Sequence, residues 1–330
     1  MSTGDRPAKR PCDNGPEPES AITRSPDYWF DDGSIVLQVE STQFRIAKSM
    51  LARHSSVFKD MLSLPLPSDE PLIEGCPVVV LPDSSADWTR LLEVMYPKRQ
   101  VGFPGPNEVP TFEQLAAVLR LSKKYDIPEL RRQCVARLKD SFPSTLAGFD
   151  KALENLEAPS NMSYIAFYAA VVNLARTVGL WSVLPPVFYS IATLFLEDGM
   201  HSKELENLEL ADELVCFRGR SKMTALFPAQ SPFKWMDPKS KLIPCGQCKH
   251  QKSCQTAISD IRANILVGNQ YLAWIAMPWS EYLEGKLCDK CIVAAQEVHE
   301  NMREECWKAL PSYFGLPPWD ELFKMDSYLD

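Results

Sequence analysis

The fold class predicted for this chain is an α+β N-terminal domain, a small sheet flanked by helices, followed by a mostly α-helical C-terminal region. Three observations predict it. From Ser34 to Leu62, apolar residues alternate with period two and then pass directly into a stripe of three- and four-residue steps. From Ser84 onward, the segments with readable spacing are helical. The chain has 330 residues, 45% of them hydrophobic, enough to bury a core in two or three units.

Taken in order, residues 1–27 lack an apolar run and are rich in Pro, Ser, Gly and charge, which predicts a disordered tail rather than a secretory leader. Ile35, Leu37 and Val39 alternate with Val36, Gln38 and Glu40, and Phe44 and Ile46 resume the pattern after a polar turn at Glu40–Thr42. Met50, Leu51, His54, Val57, Phe58, Met61 and Leu62 then form one helix stripe. After a proline-rich loop, Val78–Leu81 reads as a continuous apolar strand bounded by prolines. Trp88, Leu91, Leu92, Met95 and Tyr96 mark the next helix, with Ser84 and Ser85 placed to cap it. Thr111-Phe112-Glu113-Gln114 has capping-box spacing, and Pro128 opens a further helix lined by Leu130, Cys134 and Leu138.

The middle segment, 144–228, reads as helices throughout. Tyr164–Leu174 is apolar nearly all round, as in a helix inside a bundle. Val178–Leu196 is long and apolar enough to imitate a membrane span, but Pro185-Pro186 interrupts it and charges crowd its ends. Two buried helices meeting at the prolines are expected instead. Glu204–Cys216 reads as another helix, with Leu205, Leu208, Leu214 and Val215 inward.

The order of elements from Tyr28 to Phe142 resembles the BTB (POZ) domain. The residues that carry the resemblance are Phe44, Lys48, Leu51-Ala52 and Ser55-Ser56-Val57-Phe58, then the Val78–Leu81 strand and the run from Leu91 to Tyr96. The run from Leu121 to Leu130 completes them, as the helix–turn–helix with which such domains end. The domain is therefore placed at residues 28–143. Two positions depart from the pattern: Ser34 stands where many BTB domains have Asp, and Ala47 where they have His. Those positions help form a charged pocket that some transcriptional repressors use to recruit partners.

The resemblance implies a non-enzymatic interaction protein that pairs with itself through the first strand and first helix, here Ile35, Leu37, Met50, Leu51, Phe58 and Met61. A stripe of this kind also fits a monomer core. The resemblance implies two jobs: a homodimerising scaffold or regulator, and a substrate adaptor of a cullin-type ubiquitin ligase. The loop Val101–Val109 stands where such adaptors carry cullin contacts, and no contact motif aligns with it.

Residues 229–330 form a cysteine-containing module. Cys245-Gly246-Gln247-Cys248 and Cys288-Asp289-Lys290-Cys291 are two CxxC pairs, and this spacing lets both sulfurs of a pair face one ion. Three readings stay open: a structural Zn2+ held by Cys245, Cys248, Cys288 and Cys291, cysteines that simply pack, and a redox dithiol. Cys254 or His250 could replace one of the four. Cys288 to Cys291 opens a predicted helix over Ile292–Leu310, whose N-terminal dipole favours thiolates. His299 and Cys306 on that helix are expected to pack or to lie at the surface. Leu310–Leu322, LPSYFGLPPWDEL, is expected to dock on a neighbouring core. With the cysteine pairs it resembles the tail of BTB proteins from higher fungi.

Charge and motif content narrow the function classes. With 35 basic and 43 acidic side chains the formal charge is −8, which disfavours nucleic acid and anionic membrane as partners. The lysines around the cysteines give a modest positive excess, but the following helix is acidic, with Glu297, Glu300, Glu304 and Glu305, and no base-reading helix pattern accompanies a zinc-dependent nucleic-acid reading. The four histidines have no nucleophile and acid at a familiar spacing, and no phosphate-binding glycine loop occurs. Ten cysteines in a chain without a leader point to a reducing intracellular compartment, nucleus or cytoplasm.

Overall fold

The computed structural model of the chain describes residues 21–65, 71–96, 110–194, 207–226, 233–266 and 276–329. The predicted hairpin forms from β2 (Ile35–Val39) and β3 (Thr42–Ile46), antiparallel and joined by the two-residue turn Glu40-Ser41. β5 (Cys76–Leu81) runs parallel to β2, and the short β4 (Leu72–Ile73) closes that edge, so the sheet order is β1-β3-β2-β5-β4. Ile35, Leu37, Val39, Phe44, Ile46 and Leu81 enter the main core. Val36 is buried as well, although alternation places it on the outer face.

β1 (Thr23–Trp29) is a correction to the expected tail, which was read through Asp27. Its sequence shows no alternation, yet it lies parallel to β3. Thr23 N–H donates to the Ser41 carbonyl at 2.7 Å and Phe30 N–H to that of Arg45 at 2.9 Å. Backbone pairing of this kind needs no side-chain pattern, and here only Ser25 and Tyr28 turn fully inward. Residues 1–20 of that tail lie outside the described residues.

The single helix stripe expected over Met50–Leu62 is two helices, α1 (Lys48–His54) and α2 (Ser56–Ser63). Ser55 breaks them: its backbone is extended, its Oγ accepts from Phe58 N–H at 3.0 Å, and the same hydroxyl donates to the Tyr125 carbonyl. The break turns His54 and Val57 to solvent while Leu51 and Phe58 stay buried. Ser34 caps α1 from a distance, its Oγ accepting from Lys48 N–H at 2.9 Å. α3 (Ser85–Met95) is not capped by its own serines either. Glu40, at the hairpin turn with φ 51°, accepts from both Ser85 N–H (3.0 Å) and Ser85 Oγ (2.6 Å). Those hydrogen bonds hold the Glu40 carboxyl below its ordinary pKa.

α4 (Phe112–Lys124) and α5 (Pro128–Ser141) follow as read, with the Thr111 hydroxyl accepting from Gln114 N–H and Pro128 in the first turn. Phe58, Trp88 and Tyr125 pack ring on ring above them, with Phe58 and Tyr125 stacked at 4.8 Å. Asp83 accepts from Trp88 Nε1, Tyr125 OH and Lys124 Nζ. Burial works to raise the Asp83 pKa, but these hydrogen bonds and the lysine charge outweigh it and hold the carboxyl below its usual value.

The helical extension comprises α6 (Leu146–Leu153), α7 (Tyr164–Val178), a 3-10 turn (Trp181–Val183), α8 (Leu184–Leu194) and α9 (Leu210–Leu226). The chain breaks at Gly179, not at Pro185-Pro186. Gly179 is left-handed at φ 73°, and a Cβ there would sit 1.8 Å from the Tyr328 hydroxyl. The prolines instead occupy the first turn of α8, where no backbone donor is missed. No described helix is long and apolar enough to cross a membrane. α9 starts later than read, and Leu214 is exposed rather than inward, while Leu208 is buried. Leu205 lies outside the described residues.

In the last third come α10 (Gln251–Leu266), the single turn α11 (Glu281–Glu284), α12 (Asp289–Tyr313) and α13 (Trp319–Asp326). α12 joins two cores. Cys291 and Ala295 on its first turns belong to a small cluster with Trp235, Ile258, Ile261 and Leu283. Cys306, Trp307, Leu310 and Tyr313 on its last turns belong to the main core. Between them, Arg303 is buried and pairs with Asp150 (2.6 Å) and Glu300 (2.7 Å). The Leu310–Leu322 segment docks as expected: Trp319 stacks on Trp307, and Leu322 is fully buried. Buried Asp326 accepts from Trp181 N–H at 2.6 Å, tying the end of α13 to the 3-10 turn before α8. The predicted module thus divides, its tail completing the main core.

Candidate functional site

The cysteines converge where α12 begins. Cys245 and Cys248 lie in an irregular loop, in a turn closed by Cys248 N–H donating to the Cys245 carbonyl at 2.9 Å. Cys254 is in the first turns of α10, its N–H donating to the His250 carbonyl at 2.9 Å. Cys288 is the N-cap of α12, and Cys291 N–H donates to its carbonyl at 2.8 Å. Loop, helix and helix start therefore deliver sulfur to one point.

The Sγ atoms of Cys248, Cys254, Cys288 and Cys291 lie within 4.8 Å of one another. Cys248 and Cys288 Sγ are 3.8 Å apart. Two thiolates on a tetrahedral zinc with bonds of about 2.3 Å stand about 3.8 Å apart, so this separation fits one ion. Cys288 N–H also points at Cys254 Sγ at 3.4 Å, a donor that favours a charged sulfur. Cys254 and Cys291 are fully buried and Cys248 nearly so, against Trp235, Ile258, Leu287 and Ala295. The four cysteines can hold a metal ion.

The set differs from the two CxxC pairs at one place. Cys254 stands in the cluster where Cys245 was expected. Cys245 Sγ lies 3.9 Å from Cys291 Sγ but outside the group of four. The turn at Cys245–Cys248 brings its second sulfur inward and leaves the first at the rim, and α10 supplies the missing ligand. His250, the other substitute considered, is exposed. His299 is a packing residue, fully buried with Nε2 3.0 Å from the Met277 carbonyl.

The thiols differ in acidity. Cys291 N–H, at the start of α12, also acts on the Cys288 sulfur and brings that thiol down to about 7. Burial pushes Cys254 and Cys291 up. Without an ion Cys254 and Cys291 are held protonated. An ion binding all four sulfurs would displace those protons, which makes affinity fall in acid.

The second candidate surface is on the sheet domain. Of the six residues expected at a self-contact, Ile35, Leu37, Leu51 and Phe58 are fully buried inside the chain. Met50 and Met61 are half-buried. Around α2 two further apolar side chains are exposed, Val57 and Leu64, and on the sheet edge Leu72 and Val80. Val80, at 70% exposure, is the outward member of a strand read as continuously apolar. The loop Val101–Val109, where cullin contacts were sought, lies outside the described residues.

The BTB/POZ domain family model matches residues 32–142. Those residues, about a third of the chain, form a BTB/POZ domain, a type of protein–protein interaction module. No curated protein and no solved structure matches the chain.

Proposed function

We propose that this BTB/POZ domain pairs with a second copy of the chain, and that the pair serves as a non-enzymatic intracellular scaffold or regulator. The observation that carries the reading is the partly uncovered apolar rim of α1 and α2, formed by Met50, Val57, Met61 and Leu64, within a domain of an interaction family. An isologous contact would lay this rim on its own copy. Ile35, Leu37, Leu51 and Phe58 would then support the contact from beneath. Light scattering after gel filtration tests it: the wild-type chain runs as a dimer, and Met50→Asp, at a half-buried position, runs as a folded monomer. A wild-type monomer at tens of micromolar (~), well above ordinary interface affinities, refutes the reading, as does an unchanged Met50→Asp dimer.

In the C-terminal module we read the cluster as a structural zinc site with Cys248, Cys254, Cys288 and Cys291 as ligands. Four thiols within reach of one ion, three of them buried, are a structural rather than a catalytic donor set. All nine described cysteines are free thiols, in keeping with a reducing compartment. The ligase-adaptor role would need a cullin contact. A pull-down that recovers no cullin separates the scaffold from it.

A further inference from the structure

One ion takes four of these sulfurs, and the structure supplies five. The fifth, Cys245, is half-exposed on the loop before α10. Its Sγ is 3.9 Å from that of Cys291, which is fully buried at the first turn of α12. We propose that Cys245 is an oxidation site that opens the metal site, by closing a disulfide with the ligand Cys291. The proposal rests on the zinc reading above.

The chemistry needs a peroxide as oxidant. The Cys245 sulfur attacks one peroxide oxygen, the O–O bond breaks, and Cys245 becomes a sulfenic acid as one water leaves. The Cys291 thiolate then attacks the Cys245 sulfur and displaces hydroxide, which takes a proton from solvent to become the second water. Two sulfurs have lost two electrons, one peroxide has become two waters, and the ion has lost one of four ligands.

The geometry favours this pair over the others. Cys245 and Cys288 are the two half-buried sulfurs of the five, and with Cys288 bound to the ion, Cys245 is the free thiol that the oxidant reaches first. Proximity decides which sulfur answers, and Cys291 is its neighbour. Closing the bond requires the sulfurs to approach from 3.9 Å to about 2.0 Å. Cys245 lies in no helix or strand, and a Cβ on the adjacent Gly246 would meet nothing within 4 Å, so the loop has room to move.

The experiment uses the full chain loaded with zinc and treated with hydrogen peroxide. Released metal is followed with a colorimetric zinc indicator, and disulfides are located by peptide mass mapping without reduction. The expected result is one zinc released per chain with a Cys245–Cys291 disulfide, reversed by dithiothreitol and zinc. Cys245→Ser should bind zinc normally and release it at least tenfold more slowly. Release from Cys245→Ser at the wild-type rate, or a disulfide that omits Cys245, overturns the proposal. If Cys245→Ser binds no zinc, Cys245 is a ligand, and this inference fails while the metal site stands. A wild-type chain that binds no zinc removes both.

Discussion

In the sheet domain, Phe58, Trp88 and Tyr125 close on one another and on strand residues that are wholly buried. At the start of α12, the corresponding centre is a group of sulfurs with a thin apolar wall. The first region is held by burial, the term that normally dominates folding. The second has a smaller apolar cluster around Trp235, Ile258, Ile261 and Leu283, and small modules of that kind are usually held by a metal or disulfides as well. α12 joins them, so the two regions differ in what holds them but share a beam. On the zinc reading proposed above, the second region is open to control by metal and oxidant, whereas the first is not.

The largest effect expected from this difference comes from removing the metal. Structural zinc contributes about 10–16 kcal/mol of apparent binding energy, more than a small module's whole stability. A strong chelator, or Cys291→Ser, should therefore unfold 245–266 and the first turns of α12. Hydrogen exchange read by mass spectrometry should show protection lost there and kept in β2, β3 and α3. Uniform loss across both regions would break the comparison.

Much of the sheet domain was legible because its signals are local. Strand alternation at Ile35–Val39, the Thr111 cap and Pro128 in a first turn each act within a few residues. What was missed depends on contacts across the chain. Ser55 breaks a helix stripe because its hydroxyl meets Tyr125, seventy positions on. β1 has no pattern of its own and is recruited by the backbone of β3. Three of the four clustered cysteines were visible from CxxC spacing, while Cys254 could be named only as a substitute beside His250, because the direction of α10 that brings it in is not encoded in spacing. Core and rim could not be separated in the stripe, because exposure of Val57 and burial of Leu51 follow from the break at Ser55.

A cavity in the packed region should act in the opposite sense from chelation. Trp88 is fully buried against Phe58 and Tyr125, and Trp88→Ala should cost about 3–5 kcal/mol in urea unfolding of the sheet domain. Zinc content should be unchanged. Metal lost together with the tryptophan would mean that the regions fold as one.

The smallest effect sharpens the comparison through pH. The Asp83 carboxyl has a folded-state pKa below its unfolded value of about 3.9. Its contribution is therefore present above that value and disappears as pH falls through the folded pKa. Asp83→Ala leaves Trp88 Nε1 and Tyr125 OH without this acceptor, an expected loss of about 1–3 kcal/mol at neutral pH. The variant should also lose part of the acid dependence of sheet-domain unfolding, measured by urea titration between about pH 2 and 5, the range in which a carboxylate titrates. The thiol module should lose metal as well as stability when acidified, because protons compete for its sulfurs. An Asp83→Ala profile parallel to wild type would show that this carboxyl contributes nothing to the acid limb.

Native mass spectrometry of the intact chain, with and without chelator, tests the central claim most directly, because it reports subunit count and bound zinc together. The account predicts a dimer carrying one zinc per chain, and after chelation a dimer without zinc. A single chain at every concentration, or a dimer that carries no metal before the chelator is added, would contradict it.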